Sequence, residues 1–201
     1  MASKAEERRT ALRDTLIDIA EKQIEAEGMA AIKARTLATK AGCSVGAIYN
    51  VFGDLEDVIV AVNGRTFGKL GRHVAQALQG KDDLPATERL IVMSYAYLDY
   101  ASQHPLLWSA LFDLRMSTDM DVPAWYIKEL SQLFSVIDGP VRECFPDLDA
   151  DNVRLMTRAL FSSVHGIIML GLENRISGVP RDHIHQMIAM LLRSATRITK
   201  T

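Results

Sequence analysis

Three cations and no acid lie between Gly28 and Gly53: Lys33, Arg35 and Lys40. Just beyond them runs Ser44-Val45-Gly46-Ala47-Ile48-Tyr49-Asn50, a capping residue, small side chains, then two residues that carry hydrogen-bonding groups. Cations suit phosphate oxygens, and an arginine fork suits the two acceptors on a guanine edge. Asn50 could pair with adenine or serve as an ordinary surface residue. A short exposed helix that starts with small residues can enter a DNA major groove about 12 Å wide. Acids outnumber bases across residues 1–57, so any anion-binding face there is narrow.

For these side chains to point outward, their neighbours must point in. Leu37, Ala38 and Ala41 give a second helix one apolar side, and Gly42 can take the positive φ of a tight turn. Ser44 caps a third helix over 45–52, which Ile48 and Phe52 turn inward, leaving Val45, Gly46, Ala47, Tyr49 and Asn50 facing away from the core. Ahead of them, Leu12, Leu16, Ile19, Ala20 and Ile24 follow helical spacing until Gly28 stops the helix. Asp54, with Asp57 three residues on, reads as the N-cap of a fourth helix reaching about Gln79. Longer helices follow over 84–103, 106–116, 124–145, 149–176 and 181–198, with a break or kink expected at Gly139-Pro140. The pattern predicts an all-α fold of about nine helices, without internal repeats.

The segment Ala41-Gly42-Cys43-Ser44-Val45-Gly46-Ala47-Ile48-Tyr49-Asn50-Val51-Phe52 resembles the recognition-helix signature of the TetR/AcrR family of transcriptional regulators. The resemblance runs from about Ala11 to Val58, with Leu37-Ala38, Ala41-Gly42, Ser44, Gly46, Ile48-Tyr49 and Phe52 in register. It implies a helix-turn-helix DNA-binding domain over 1–57 and a ligand-binding and dimerisation domain over 58–201. It further implies a phosphate or base contact from Arg35 and a backbone contact from Tyr49. The DNA-facing set is then Lys33, Arg35, Thr36, Lys40, Ser44, Val45, Gly46, Ala47, Tyr49 and Asn50. Three positions depart from the family pattern: Val51 where histidine is common, Leu55 where lysine would touch phosphate, and Lys33 where a threonine caps the second helix. Fewer phosphate contacts lower affinity and flatten its salt dependence.

In the C-terminal part, His104-Pro105-Leu106-Leu107-Trp108 and Val164-His165-Gly166 resemble a subgroup with a Trp-His-Gly-type ligand-binding half. Candidate effector contacts are Met93, Tyr97, Trp108, Leu111, Phe112, Phe161, His165 and Met169; each taken singly reads more readily as core, and together they suit an adaptable apolar cavity. Asp99 falls about 200° around its helix from Tyr97 and is expected outside that cavity. Ala159–Leu172 is apolar around most of its circumference, so it must be covered on more than one side. Ser162, Gly166, Ile184, Ile188, Leu191 and Ala195 are the expected surface for a second subunit. Gly64, Gly68 and Gly71 form a stripe on the fourth helix, which suits close packing against the first helix or a softened connector.

Composition bounds the rest. The 201 residues carry 23 Lys+Arg and 25 Asp+Glu, net −2, which disfavours indiscriminate coating of nucleic acid. Cys43 and Cys144 fit neither a disulfide framework nor a metal spacing, and the N-terminus has no apolar signal segment, so a cytoplasmic protein is expected. The longest uncharged run, Ala159–Leu172, is short of the roughly 18 residues that suggest a membrane span. No nucleophile elbow, phosphate loop or paired carboxylates occur, and His183 and His185 diverge on a helix, so neither an enzyme nor a metal or cofactor site is expected. The reading is a homodimeric repressor that binds a double-stranded operator and releases it on binding a small apolar or aromatic effector. The alternative is a helical small-molecule-binding protein or enzyme that does not bind DNA.

Overall fold

The computed structural model describes residues 3–113, 123–173 and 180–197. Helix α1 (Lys4–Glu27) begins where Ser3 Oγ accepts the Glu6 amide at 3.2 Å. It ends at Gly28, whose φ of +83° closes the turn. Helices α2 (Ala34–Ala41) and α3 (Val45–Val51) are joined by Gly42 at φ +65°, and Ser44 Oγ accepts the Ala47 amide at 3.2 Å. Helix α4 (Leu55–Leu78) starts with a reciprocal cap. Asp54 Oδ1 accepts the Asp57 amide at 2.8 Å, and Asp57 Oδ2 accepts the Gly53 amide at 2.8 Å. Then come α5 (Ala86–Gln103), α6 (Pro105–Asp113), α7 (Ala124–Cys144), α8 (Ala150–Leu172) and α9 (Ile184–Ala195). With two short 3-10 turns, these nine α-helices account for the regular structure among the described residues.

The chain divides into two compact units, residues 1–69 with 104–129 and residues 70–103 with 130–201. This differs from a boundary at residue 57, because α6 and the first turns of α4 pack with the N-terminal helices and the start of α7 packs on α4. Leu107 and Ala110 of α6 share one core with Leu16 and Ile24 of α1, Leu37 of α2, Ile48 of α3 and Val58 of α4. Burying a side chain of this size stabilises by roughly 1.5–3 kcal/mol, so α6 belongs energetically to this core. Asn63, fully buried on α4, donates Nδ2–H to the Ala110 carbonyl at 2.9 Å, and His104 Nδ1 meets Glu25 Oε1 at 2.8 Å.

In the second unit, α9 packs on α5 and α8. Cys144 is buried beside Thr87, and both cysteines are free thiols. Helix α7 continues through Pro140, so of the break or kink expected there the break does not occur. Proline deprives the Val136 carbonyl of its helical partner, but Val136 lies at the surface, 41% exposed, where water can replace it. Helix α8, 23 residues with a hydropathy of 1.4 over its most apolar window, is long and apolar enough to cross a membrane by length and composition. The 14-residue uncharged run understates this property; in the fold α8 packs with α5 and α9.

Candidate nucleic-acid interface and effector cluster

The α2–α3 pair presents its cations at the surface. Lys33, Arg35, Lys40, Ser44, Gly46, Tyr49 and Asn50 are exposed, and Thr36 and Ala47 are half-buried, while Leu37, Ala38 and Ile48 are buried. Val45 is the exception: it packs partly against the core of the first unit rather than facing away from it. The first residue of a helix capped by Ser44 still points its Cβ back towards the preceding turn, where Cys43 also packs. Tyr49 keeps 46% of its surface exposed, whereas the adjacent Ile48 is fully buried.

Electrostatics sharpen this face. Lys40 Nζ is steadied 3.4 Å from Gln23 Oε1, and buried Gln23 donates to the Ala31 carbonyl at 2.7 Å. The acids of α1 are drawn towards α4, where Arg65 pairs with Asp18 and lies 3.8 Å from both Asp14 and Glu21, and Lys69 pairs with Glu21. Negative charge in this unit is thus partly neutralised away from α2 and α3. Arg13 adds a further cation that the sequence pattern misses: its guanidinium sits 5.3 Å from the centroid of Phe52, at the end of α3. A pairing so distant along the chain leaves no signal in local periodicity.

The effector candidates fall into both units. In the first, Trp108 and Leu111 are buried, and Phe112 meets Trp108 edge-on at 5.5 Å. In the second, Met93 and Tyr97 are buried, and Tyr97, Phe161 and His165 form one cluster. The Tyr97 hydroxyl and His165 Nδ1 lie 2.9 Å apart, in a hydrogen bond whose proton either atom can supply. Phe161 stacks on His165 at 5.7 Å and 16°. Burial holds the His165 pKa below the ordinary histidine value, favouring a neutral ring. The sequence reading omitted Phe134, which meets Phe161 edge-on at 5.0 Å, and Arg158, which covers Phe134. Met169 does not join them; it stands at the surface of α8 with Leu170.

The expected partner-facing surface needs a parallel correction. Ile184 and Ile188 are 2% and 0% exposed, because the inward side of α9 fills the unit's own core against α5 and α8. Ser162 and Ala195 are exposed, and Gly166 and Leu191 are half-buried. On these two helices the large apolar side chains left exposed are Leu155, Met169 and Leu170 of α8 and Met190 of α9. The glycine stripe of α4 also differs from expectation, since Gly64 and Gly71 approach Trp125 and Leu133 of α7 rather than α1. Asp99 pairs with His73 at 3.0 Å. Among the described residues, no three His, Cys, Asp or Glu side chains are grouped to hold a metal.

Residues 90–195 match the model of the tetracyclin repressor-like C-terminal domain. No curated protein sequence matches significantly. Among solved structures, a protein of unknown function from Rhodococcus sp. RHA1 is similar over 92% of this chain and 94% of its own, with a TM-score of 0.73 and 20% identity. RolR in complex with resorcinol is similar over 96% and 91%, with a TM-score of 0.68 and 20% identity. The regulator FadR from Bacillus subtilis in complex with stearoyl-CoA is similar over 89% and 96%, with a TM-score of 0.65 and 18% identity.

Proposed function

The chain belongs to the TetR family of ligand-responsive transcriptional regulators, and from that premise we propose that it acts in the cytoplasm as a homodimeric repressor released from its operator by a small apolar or aromatic molecule. The observation that carries this reading is the acid-free α2–α3 face, where Arg35, Tyr49 and Asn50 stand exposed on helices held by Ser44 and Gly42. Arg35 and Lys33 then contact phosphate or a base edge, and α3 enters the major groove by its small N-terminal residues. Leu155, Leu170 and Met190, exposed on α8 and α9, support pairing of two subunits through these helices. Pairing would set two α3 helices about 34–36 Å apart, one turn of the duplex.

The Tyr97–Phe161–His165 cluster, with Phe134 beside it, supports an effector with an aromatic or apolar body and a polar group for the Tyr97–His165 pair. RolR holds resorcinol and FadR holds stearoyl-CoA, so this architecture accommodates both an aromatic and an acyl ligand. Release requires the effector to bind the DNA-free conformer more tightly than the DNA-bound one. A mobility shift on the DNA upstream of the protein's own gene tests the reading. Sequence-specific retardation that Arg35→Ala and Tyr49→Ala abolish supports it. No specific retardation at low salt would overturn it and favour a small-molecule-binding protein without DNA.

A further inference from the structure

Apart from the aromatic cluster, the second unit carries an open trough of about 560 Å³, within the range of sites that hold small organic molecules. Helix α5 supplies positions 92, 95, 96 and 99, one face by their spacing, and none of these is Met93 or Tyr97. At one end, His73 Nε2 donates to Asp99 Oδ2 at 3.0 Å, fixing a carboxylate that stays 52% exposed. At the other, Lys81 folds back so that Nζ donates to the Ala77 carbonyl at 2.7 Å, leaving two further N–H donors on its ammonium. Between them the lining is Ala77 and Ala96, with Tyr95 set edge-on against His185 at 4.6 Å and donating its hydroxyl hydrogen to the His185 carbonyl at 3.0 Å.

Asp99 is held through His73 on α4, and Lys81 follows eight residues further along the chain, beyond the end of that helix. A simple anion meets Asp99 at one end, and a simple cation meets Lys81 at the other. A molecule carrying both charges, separated by an apolar span, satisfies each. We propose that this trough binds an elongated zwitterionic small molecule, its ammonium on Asp99, its carboxylate on Lys81 and its hydrocarbon across Ala77, Ala96 and Tyr95.

Calorimetric titration of the full chain with 8-aminooctanoate, octanoate and octylamine tests this without DNA, so its outcome is independent of the operator reading. The expected result is that 8-aminooctanoate binds more tightly than either singly charged probe. Lys81→Gln and Asp99→Asn each weaken it by up to about fivefold, the upper end for exposed ion pairs. Aromatic proton shifts of Tyr95 and His185 move on binding, while those of Tyr97 and Phe161 stay. Equal affinity for the three probes, unchanged affinity in both variants, shifts confined to Tyr97 and Phe161, or no heat at millimolar probe overturns the proposal.

Discussion

The indole of Trp125 lies directly against the backbone of Gly64: a Cβ built on that glycine would stand 2.5 Å from Trp125 Cζ3. A glycine inside a long helix costs about 1 kcal/mol relative to alanine, and here it permits the close approach of α4 and the start of α7. Trp125 is 42% exposed and also meets Tyr126 edge-on at 5.7 Å, so it has room to swing outward.

Gly64→Ala should therefore expel Trp125 rather than unfold the protein. The expected outcome is a red shift in tryptophan emission, because Trp108 is buried and Trp125 is the ring displaced. Stability should change by less than about 1 kcal/mol, since the gain in helix propensity offsets the lost contact. In a Trp125→Leu background the same substitution should stabilise by up to about 1 kcal/mol. An unshifted spectrum with a large fall in melting temperature would show that Trp125 cannot yield.

Local chemistry made the N-terminal fold legible. Ser44, Gly28, Gly42 and the Asp54–Asp57 pair each satisfy helix-end groups within a few residues, so their roles follow from spacing alone. Periodicity is less informative about which partner covers an apolar stripe. Ile184 and Ile188 have the right spacing for an interface and are core instead, whereas Leu155, at 64% exposed, stands outside. The Tyr97–His165 bond joins α5 to α8, and the Arg13–Phe52 stack joins α1 to the end of α3. Neither residue of such a pair carries a mark of the other in its own sequence neighbourhood. The passage of α7 through Pro140 depends on solvent reaching Val136, which the helical pattern alone does not specify.

The positions that depart from the family's DNA-contacting pattern give a gain-of-function test. Leu55 packs only partly against the core, so Leu55→Lys can place an ammonium at the start of α4 while keeping its aliphatic stem in place. One added phosphate contact should steepen the slope of log affinity against log salt by about 0.9, and Arg35→Ala should flatten it by a similar amount if Arg35 binds phosphate. Fluorescence anisotropy across a salt series reads both. If Arg35 instead reads guanine, its removal relaxes sequence preference by about 1–3 kcal/mol at one base pair and leaves the slope nearly unchanged.

The proposed subunit pairing and the core packing of α9 separate by residue. Met190 is 61% exposed, so Met190→Glu should leave the subunit folded by circular dichroism and convert the proposed dimer to a monomer in sedimentation. Ile188 is fully buried, so Ile188→Ala should cost about 2–5 kcal/mol of stability through the cavity it leaves. A wild-type chain that sediments as a monomer at every concentration would overturn the pairing.

His165 provides a pH signature of the Tyr97–Phe161–His165 cluster. Burial lowers its pKa in the folded chain, so below the ordinary histidine value the unfolded chain takes up a proton that the folded chain resists. The folded state therefore binds fewer protons, and stability is complete above about pH 6.5 and falls as the pH drops towards the lowered folded value. His165→Asn keeps a polar group facing the Tyr97 hydroxyl but cannot titrate. The loss of stability between pH 7 and pH 5.5, read from urea midpoints, should thus be smaller in the variant than in the wild type. The other histidines are common to both proteins, so the difference between the two curves isolates His165. Parallel curves would mean that the ring gains no stability from being held neutral beside Phe161 and Tyr97.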